Sequence, residues 1–88
     1  MMRDYPEVDL HGLFADEARD RLEQAIADAV RDGHTRLRIV HGKGTGILRR
    51  EVRDLLRHHP KVRTYQYASP HDGGDGATVA ALELKRGR

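Results

Sequence analysis

Eighty-eight residues without a cysteine bound one two-layer domain that has no disulfide and no thiolate metal site, and no apolar run is long enough for a membrane span or signal peptide; a reducing, cytoplasmic setting is expected. A hydrophobic share of 38% against 34% charged residues is polar for a globular chain, but periodic apolar segments argue against disorder. The net charge of +2 hides an asymmetry, with residues 1–33 summing to −5, residues 34–66 to +7 and residues 67–88 to zero, so a polyanion would be steered to the middle of the chain.

Residues 1–4 are expected to be a flexible start, the doubled Met1-Met2 hinting at an appended end and at an excised domain. Residues 5–10 predict a short strand, ended by His11-Gly12. A helix follows over about 15–32: Ala18, Leu22, Ala25, Ile26, Ala29 and Val30 share one face, Asp16 and Glu17 suit its positive end, and Gly33 stops it. Residues 35–41 predict a second strand with Leu37, Ile39 and Val40 apolar and Arg36 and Arg38 on the opposite face. A second helix runs from about 45 or 46 to 59, buries Leu48, Val52, Leu55 and Leu56, and ends before Pro60. Residues 62–68 and 77–84 then predict an antiparallel pair, joined by a long glycine-rich connection expected to be mobile. Residues 85–88 form a short basic, flexible end.

Right-handed crossovers in this order make the first three strands parallel. Their carboxyl ends therefore share one edge, the default ligand position of an open α/β sheet. The residues at that edge are polar. Val40-His41-Gly42-Lys43-Gly44-Thr45-Gly46 places three glycines between a strand and a helix, where backbone N–H groups and a helix N-terminus can cradle an anion and Lys43 adds a full charge. Gly42, Gly44, Thr45 and Gly46 are the phosphate-binding candidates. There is no GxxxxGK[ST], and Ile47 stands where a GxGxxG would need its third glycine, so ATP and dinucleotide binding lose support.

Asp9 and His11 leave the first strand on the same side. A carboxylate that orients an imidazole is what a general acid or base in phosphodiester cleavage requires. Lys43 would stabilise charge on a nonbridging oxygen. His41 is either an auxiliary proton-transfer group or a residue that closes its strand. Arg49, Arg53 and Arg57 recur every four residues with Arg50 beside them, a ridge that either guides nucleic acid or is a solvated face paired with Glu51 and Asp54. Tyr65 and Tyr67 either stack on unpaired bases or pack on the sheet. The set His11, His41, His71, Asp72 and Asp75 matches no metal-binding pattern, and no metal ligand is assigned.

Val8-Asp9-Leu10-His11-Gly12-Leu13 with Glu17-Ala18, then His41-Gly42-Lys43-Gly44-Thr45-Gly46-Ile47-Leu48, then Gly73-Gly74-Asp75-Gly76-Ala77-Thr78-Val79 resemble the successive signatures of the Smr (small MutS-related) domain over residues 5–84. The resemblance implies a two-layer βαβαββ sandwich similar to the C-terminal domain of translation initiation factor three. In it both helices lie on one face of a four-stranded mixed sheet, with the fourth strand antiparallel between the second and third. It implies DNA nicking or RNA cleavage, alone or at the C-terminus of MutS-like proteins that act in recombination control or at the ribosome. The family's D-x-H falls on Asp9 and His11, the basic residue of its HGxGxG loop on Lys43, and its Gly-Gly-x-Gly-Ala-Thr motif on Gly73, Gly74, Gly76, Ala77 and Thr78.

The expected function is thus an endonuclease on DNA, RNA or both, either a monomeric domain or part of a larger chain. On RNA the 2′-hydroxyl can be the nucleophile without metal. On DNA the nucleophile is an activated water, for which a divalent cation, Mg or Mn, is a candidate cofactor, and no cofactor is assigned as certain. The alternatives are a noncatalytic nucleic-acid or ribosome-binding module, which needs the arginines but not His11, and a small-anion or nucleotide sensor.

Overall fold

The computed structural model describes residues 4–84, and the expected flexible ends lie, apart from Asp4, outside the described residues. The elements are β1 (Glu7–Asp9), α1 (Ala15–Arg31), β2 (Arg36–Val40), α2 (Ile47–His58), β3 (Val62–Tyr67) and β4 (Ala77–Leu82). They form a four-stranded sheet in the order β1-β2-β4-β3. β1 pairs parallel with β2, and β4 pairs antiparallel with both β2 and β3. The first three strands therefore point the same way, and β4 is inserted between β2 and β3.

Both helices form where their apolar faces require. Ala18, Leu22, Ile26 and Ala29 of α1 and Val52, Leu55 and Leu56 of α2 are buried in one cluster with Leu37, Ile39, Ala80 and Leu82 of the sheet. Each Leu or Ile buried there contributes about 1.5–3 kcal/mol. α1 ends in a Schellman motif: Gly33 N–H donates to the Val30 carbonyl at 3.1 Å and His34 N–H to the Ala29 carbonyl at 2.9 Å. Among the described residues no helix is long and apolar enough to cross a membrane.

The other face of the sheet is uncovered. Arg36, Thr64 and Gln66 are exposed on it, as strand alternation dictates. Arg38, on the same face as Arg36, is nevertheless only 8% exposed. Its guanidinium donates to Glu7 Oε1 at 3.2 Å and to the Asp72 carbonyl, tying β1 and the β3–β4 connection to the centre of the sheet.

That connection also differs from the mobile loop expected of its glycines. It folds into two 3-10 turns, Pro70–Asp72 and Gly74–Gly76. Asp72 and Gly74 N–H both donate to the Ser69 carbonyl, at 2.8 and 2.9 Å, and Gly76 N–H to the Gly73 carbonyl at 3.0 Å. Its backbone is held internally, so the segment can brace its neighbours.

Candidate functional site

β1 and β2 end side by side, and each is followed by a His-Gly step. Asp9 closes β1 and turns its carboxylate onto the next residue but one: His11 Nδ1–H donates to Asp9 Oδ1 at 2.6 Å and His11 N–H reaches the same oxygen at 3.1 Å. The ring hydrogen bond, with the backbone one behind it, holds the Asp9 carboxyl below its ordinary range. The carboxylate thereby fixes both the orientation and the tautomer of the imidazole. Among the described residues Nε2 of His11 has no hydrogen-bond partner, on a side chain 69% exposed. A neutral ring so held is an acceptor facing outward.

Beside it stands the glycine-rich loop. A Cβ built on Gly42 would lie 3.5 Å from His11 Cβ, so the two segments touch. His11, Gly42, Lys43, Gly44, Thr45, Gly46 and Arg49 all line one cleft of about 440 Å³. The expected meeting of imidazole and lysine on one rim is therefore present. One expectation needs correction: Gly42 N–H does not face an anion, because it donates to the Gly76 carbonyl at 2.8 Å, as does His41 N–H at 3.1 Å. Among the described residues the N–H groups of Lys43, Gly44, Thr45 and Gly46 make no hydrogen bond. These four are the available donors.

One glycine is required by this geometry and a second packs closely against the loop. Gly46 caps α2 at φ +89°, and a Cβ there would come within 2.9 Å of Arg49 Nη2. Gly76 lies under the loop, where a Cβ would meet Lys43 Cγ at 3.4 Å. The Gly73, Gly74, Gly76 and Thr78 motif consequently sits behind the cleft rather than along it. It supports the loop through the Gly76 carbonyl and through His41.

His41 is buried, and its ring has a defined role. Nδ1 lies 3.0 Å from the Gly42 carbonyl, which can only accept, so Nδ1 carries the proton; Nε2, 2.8 Å from Thr78 Oγ1, then accepts from the hydroxyl. Burial pushes the His41 pKa below its ordinary value, which keeps this neutral tautomer. With both nitrogens engaged, His41 matches the strand-closing role and not that of an auxiliary proton carrier.

The arginine ridge divides. Arg49 turns inward and places Nη1 3.3 Å from Asp75 Oδ2, while Lys43 Nζ lies 3.6 Å from the other oxygen of that carboxylate. Arg53 is half-buried over the Tyr67 and Tyr65 rings, 4.7 and 5.1 Å from their centroids, so the tyrosines serve as packing partners of a cation. Arg50 and Arg57 remain exposed, without an ion pair among the described residues. All four arginines line a groove of about 510 Å³ along α2 that shares Thr45 and Gly46 with the main cleft.

Sequence reasoning missed the roles of four residues. Asp75 holds Lys43 and Arg49 together, and no local spacing announces it. Arg38 braces the loop from the open face. Phe14 and Ile47 line the main cleft although they are 79% and 59% exposed, and an aromatic at a helix N-cap was the available signal. Among the described residues no group of three or more His, Asp or Glu side chains gathers to hold a metal ion, so His11, His41, His71, Asp72 and Asp75 form no cage.

Comparison with known proteins matches this architecture. Residues 8–83 fit the model of the Smr domain. Endonuclease MutS2 of Thermomicrobium roseum is 49% identical over 79 residues, covering 90% of this chain and 10% of that protein. Endonuclease MutS2 of Thermus thermophilus is 45% identical over 80 residues, covering 91% and 11%. The chain thus spans about a tenth of the length of the curated relatives it matches. The crystal structure of the Smr domain of Thermus thermophilus MutS2 superposes with a TM-score of 0.87 at 45% identity, covering 89% of this chain and 98% of that one. YdaL, a stand-alone small MutS-related protein from Escherichia coli, gives 0.83 at 32% identity over 88% of this chain and 63% of its own. With β4 inserted between β2 and β3 and the three glycine-bearing motifs gathered behind and along one sheet edge, the chain belongs to the Smr domain family.

Proposed function

We propose that the domain cleaves phosphodiester bonds in nucleic acid, with the scissile phosphate on the glycine-rich loop between Lys43 and His11. What carries this reading is the shared cleft: an outward imidazole fixed by a carboxylate, a lysine and four unbonded amides line or adjoin a single opening. The amides and Lys43 bind the nonbridging oxygens and stabilise the charge that grows there, as an oxyanion hole does. Asp75 gives up its hold on Lys43 and Arg49 as the phosphate arrives, and Arg50 and Arg57 guide the adjoining strand along α2.

His11 Nε2 is the general base. On RNA it takes the proton of the 2′-hydroxyl, whose oxygen attacks phosphorus while the bond to the 5′-oxygen breaks; the leaving oxygen is protonated from solvent. On DNA the same nitrogen takes a proton from water, whose oxygen attacks phosphorus while one P–O ester bond breaks, and the leaving oxygen is protonated from solvent. The described residues offer no cation cage, and no step is assigned to a metal.

The test is cleavage of supercoiled plasmid and of structured RNA by the purified 88-residue chain, each with and without chelator. His11→Ala and Lys43→Ala are each expected to slow cutting by about 100-fold or more without lowering the melting temperature. Cutting that is equal in wild type and both variants removes the site. Salt-sensitive binding that survives His11→Ala, with no cutting by any preparation, replaces the nuclease with a binding module.

A further inference from the structure

We propose that Phe14 and Ile47 form a platform for an unpaired nucleobase next to the bound phosphate, so that the cleft selects unstacked nucleotides over base-paired ones. This rests on the phosphate site described above and adds to it a specificity that the glycine loop and His11 do not supply.

Phe14 and Ile47 are the two most exposed large hydrophobic residues among those described, at 79% and 59%. A scattered exposed apolar side chain needs no explanation, but two on the walls of one functional cleft do. The fold supplies none for Phe14. It occupies the N-cap of α1 in extended conformation, at φ −72° and ψ 158°, where serine, threonine, aspartate or asparagine would accept a first-turn N–H and phenylalanine cannot. Its own N–H is taken up by Glu17 Oε1 at 3.2 Å, leaving the ring no local duty. Ile47 opens α2 immediately after the left-handed Gly46, which presents its side chain at the mouth of the phosphate loop.

The occupant follows from what lines the cleft. Its lining combines two chemistries, Lys43, His11 and the loop amides on the one hand and Leu13, Phe14 and Ile47 on the other. A nucleotide has the same combination, an anion joined to a flat ring with an apolar face. Inorganic phosphate and acidic peptides satisfy the first and leave the second bare. A base inside a duplex has both faces covered by its neighbours, so only a single-stranded or extruded base can offer one to Phe14. Aromatic stacking tolerates any base, hence the expected selectivity is for the unpaired state and not for sequence.

The experiment uses an oligodeoxynucleotide carrying one 2-aminopurine, single-stranded or in a blunt duplex, titrated in chelator with wild type, Phe14→Ala, Phe14→Trp and Lys43→Ala. Phe14→Ala is expected to weaken single-strand binding by roughly ten-fold and to remove the change in 2-aminopurine fluorescence, leaving duplex binding and salt dependence unchanged. Phe14→Trp is expected to keep both signals, and Lys43→Ala to weaken binding to both probes. Phe14→Ser, which restores a capping hydroxyl while removing the ring, guards against a folding defect and is expected to behave as Phe14→Ala. Wild-type affinity and fluorescence response in the Ala and Ser variants, with Lys43→Ala still impaired, overturns the platform and leaves the phosphate site standing. Lys43→Ala binding like wild type, or no binding by wild type, overturns the phosphate site and the platform with it.

Discussion

Two histidines, each followed by glycine at the carboxyl end of adjacent parallel strands, have opposite fates. His11, after β1, is exposed, with one nitrogen bound to Asp9 and the other without a partner among the described residues. His41, after β2, is enclosed, with one nitrogen on the Gly42 carbonyl and the other on Thr78. The difference comes from strand position. β1 is an edge strand, paired on one side only, and His11 stays exposed beside the glycine-rich loop, whereas β2 is flanked by β4, whose Thr78 and preceding glycine turn close over His41. The same dipeptide thus leaves an exposed ring at the edge and an enclosed one at the centre.

The contrast is broken most sharply at the two rings themselves. His11→Ala is expected to lose about 100-fold or more in cutting at an unchanged melting temperature, because its side chain is mostly exposed. His41→Ala is expected to lose about 1–3 kcal/mol of stability, read by urea unfolding, since it strands a buried hydroxyl and a carbonyl and leaves a void. If His41→Ala instead keeps its stability and loses only activity, the two roles have been exchanged. Thr78→Val keeps the shape and removes the donor to Nε2, for an expected cost of about 1 kcal/mol and a smaller effect on cutting.

The smallest effect sharpens the comparison through pH. Because burial lowers the His41 pKa in the folded protein, the unfolded chain binds more protons between that depressed value and the ordinary value of about 6.5. Stability is expected to be fully present above that window and to decline as pH falls through it. His41→Asn should flatten the decline. Asp9, also depressed, acts with the same sign but below the ordinary carboxylate range, so the two contributions separate.

Much of this arrangement was legible in the residues. The apolar positions of α1 and α2 repeat at helical spacing, and the crossover rule placed the ends of β1, β2 and β3 on one edge. The insertion of β4 came from the family resemblance and not from periodicity. What stayed hidden is tertiary. Spacing shows that Arg49 and Arg53 share a helix face but not that Asp75 and two tyrosine rings lie over that face. Alternation put Arg38 on the open side of β2 but could not foresee Glu7 and the Asp72 carbonyl enclosing it. The glycines of residues 73–76 suggested motion because their role is read only from the partner they approach, the Gly42-Lys43 turn.

The central claim is that an imidazole and four backbone amides face one phosphate. It is tested most directly by NMR of the 88-residue chain titrated with a single-stranded oligonucleotide bearing noncleavable linkages. The amide signals of Lys43, Gly44, Thr45 and Gly46 and the ring signals of His11 are expected to shift together and saturate at one concentration, with the His41 ring little changed. Shifts confined to the open face around Arg36 and Arg38, or absent from the loop, would contradict the account.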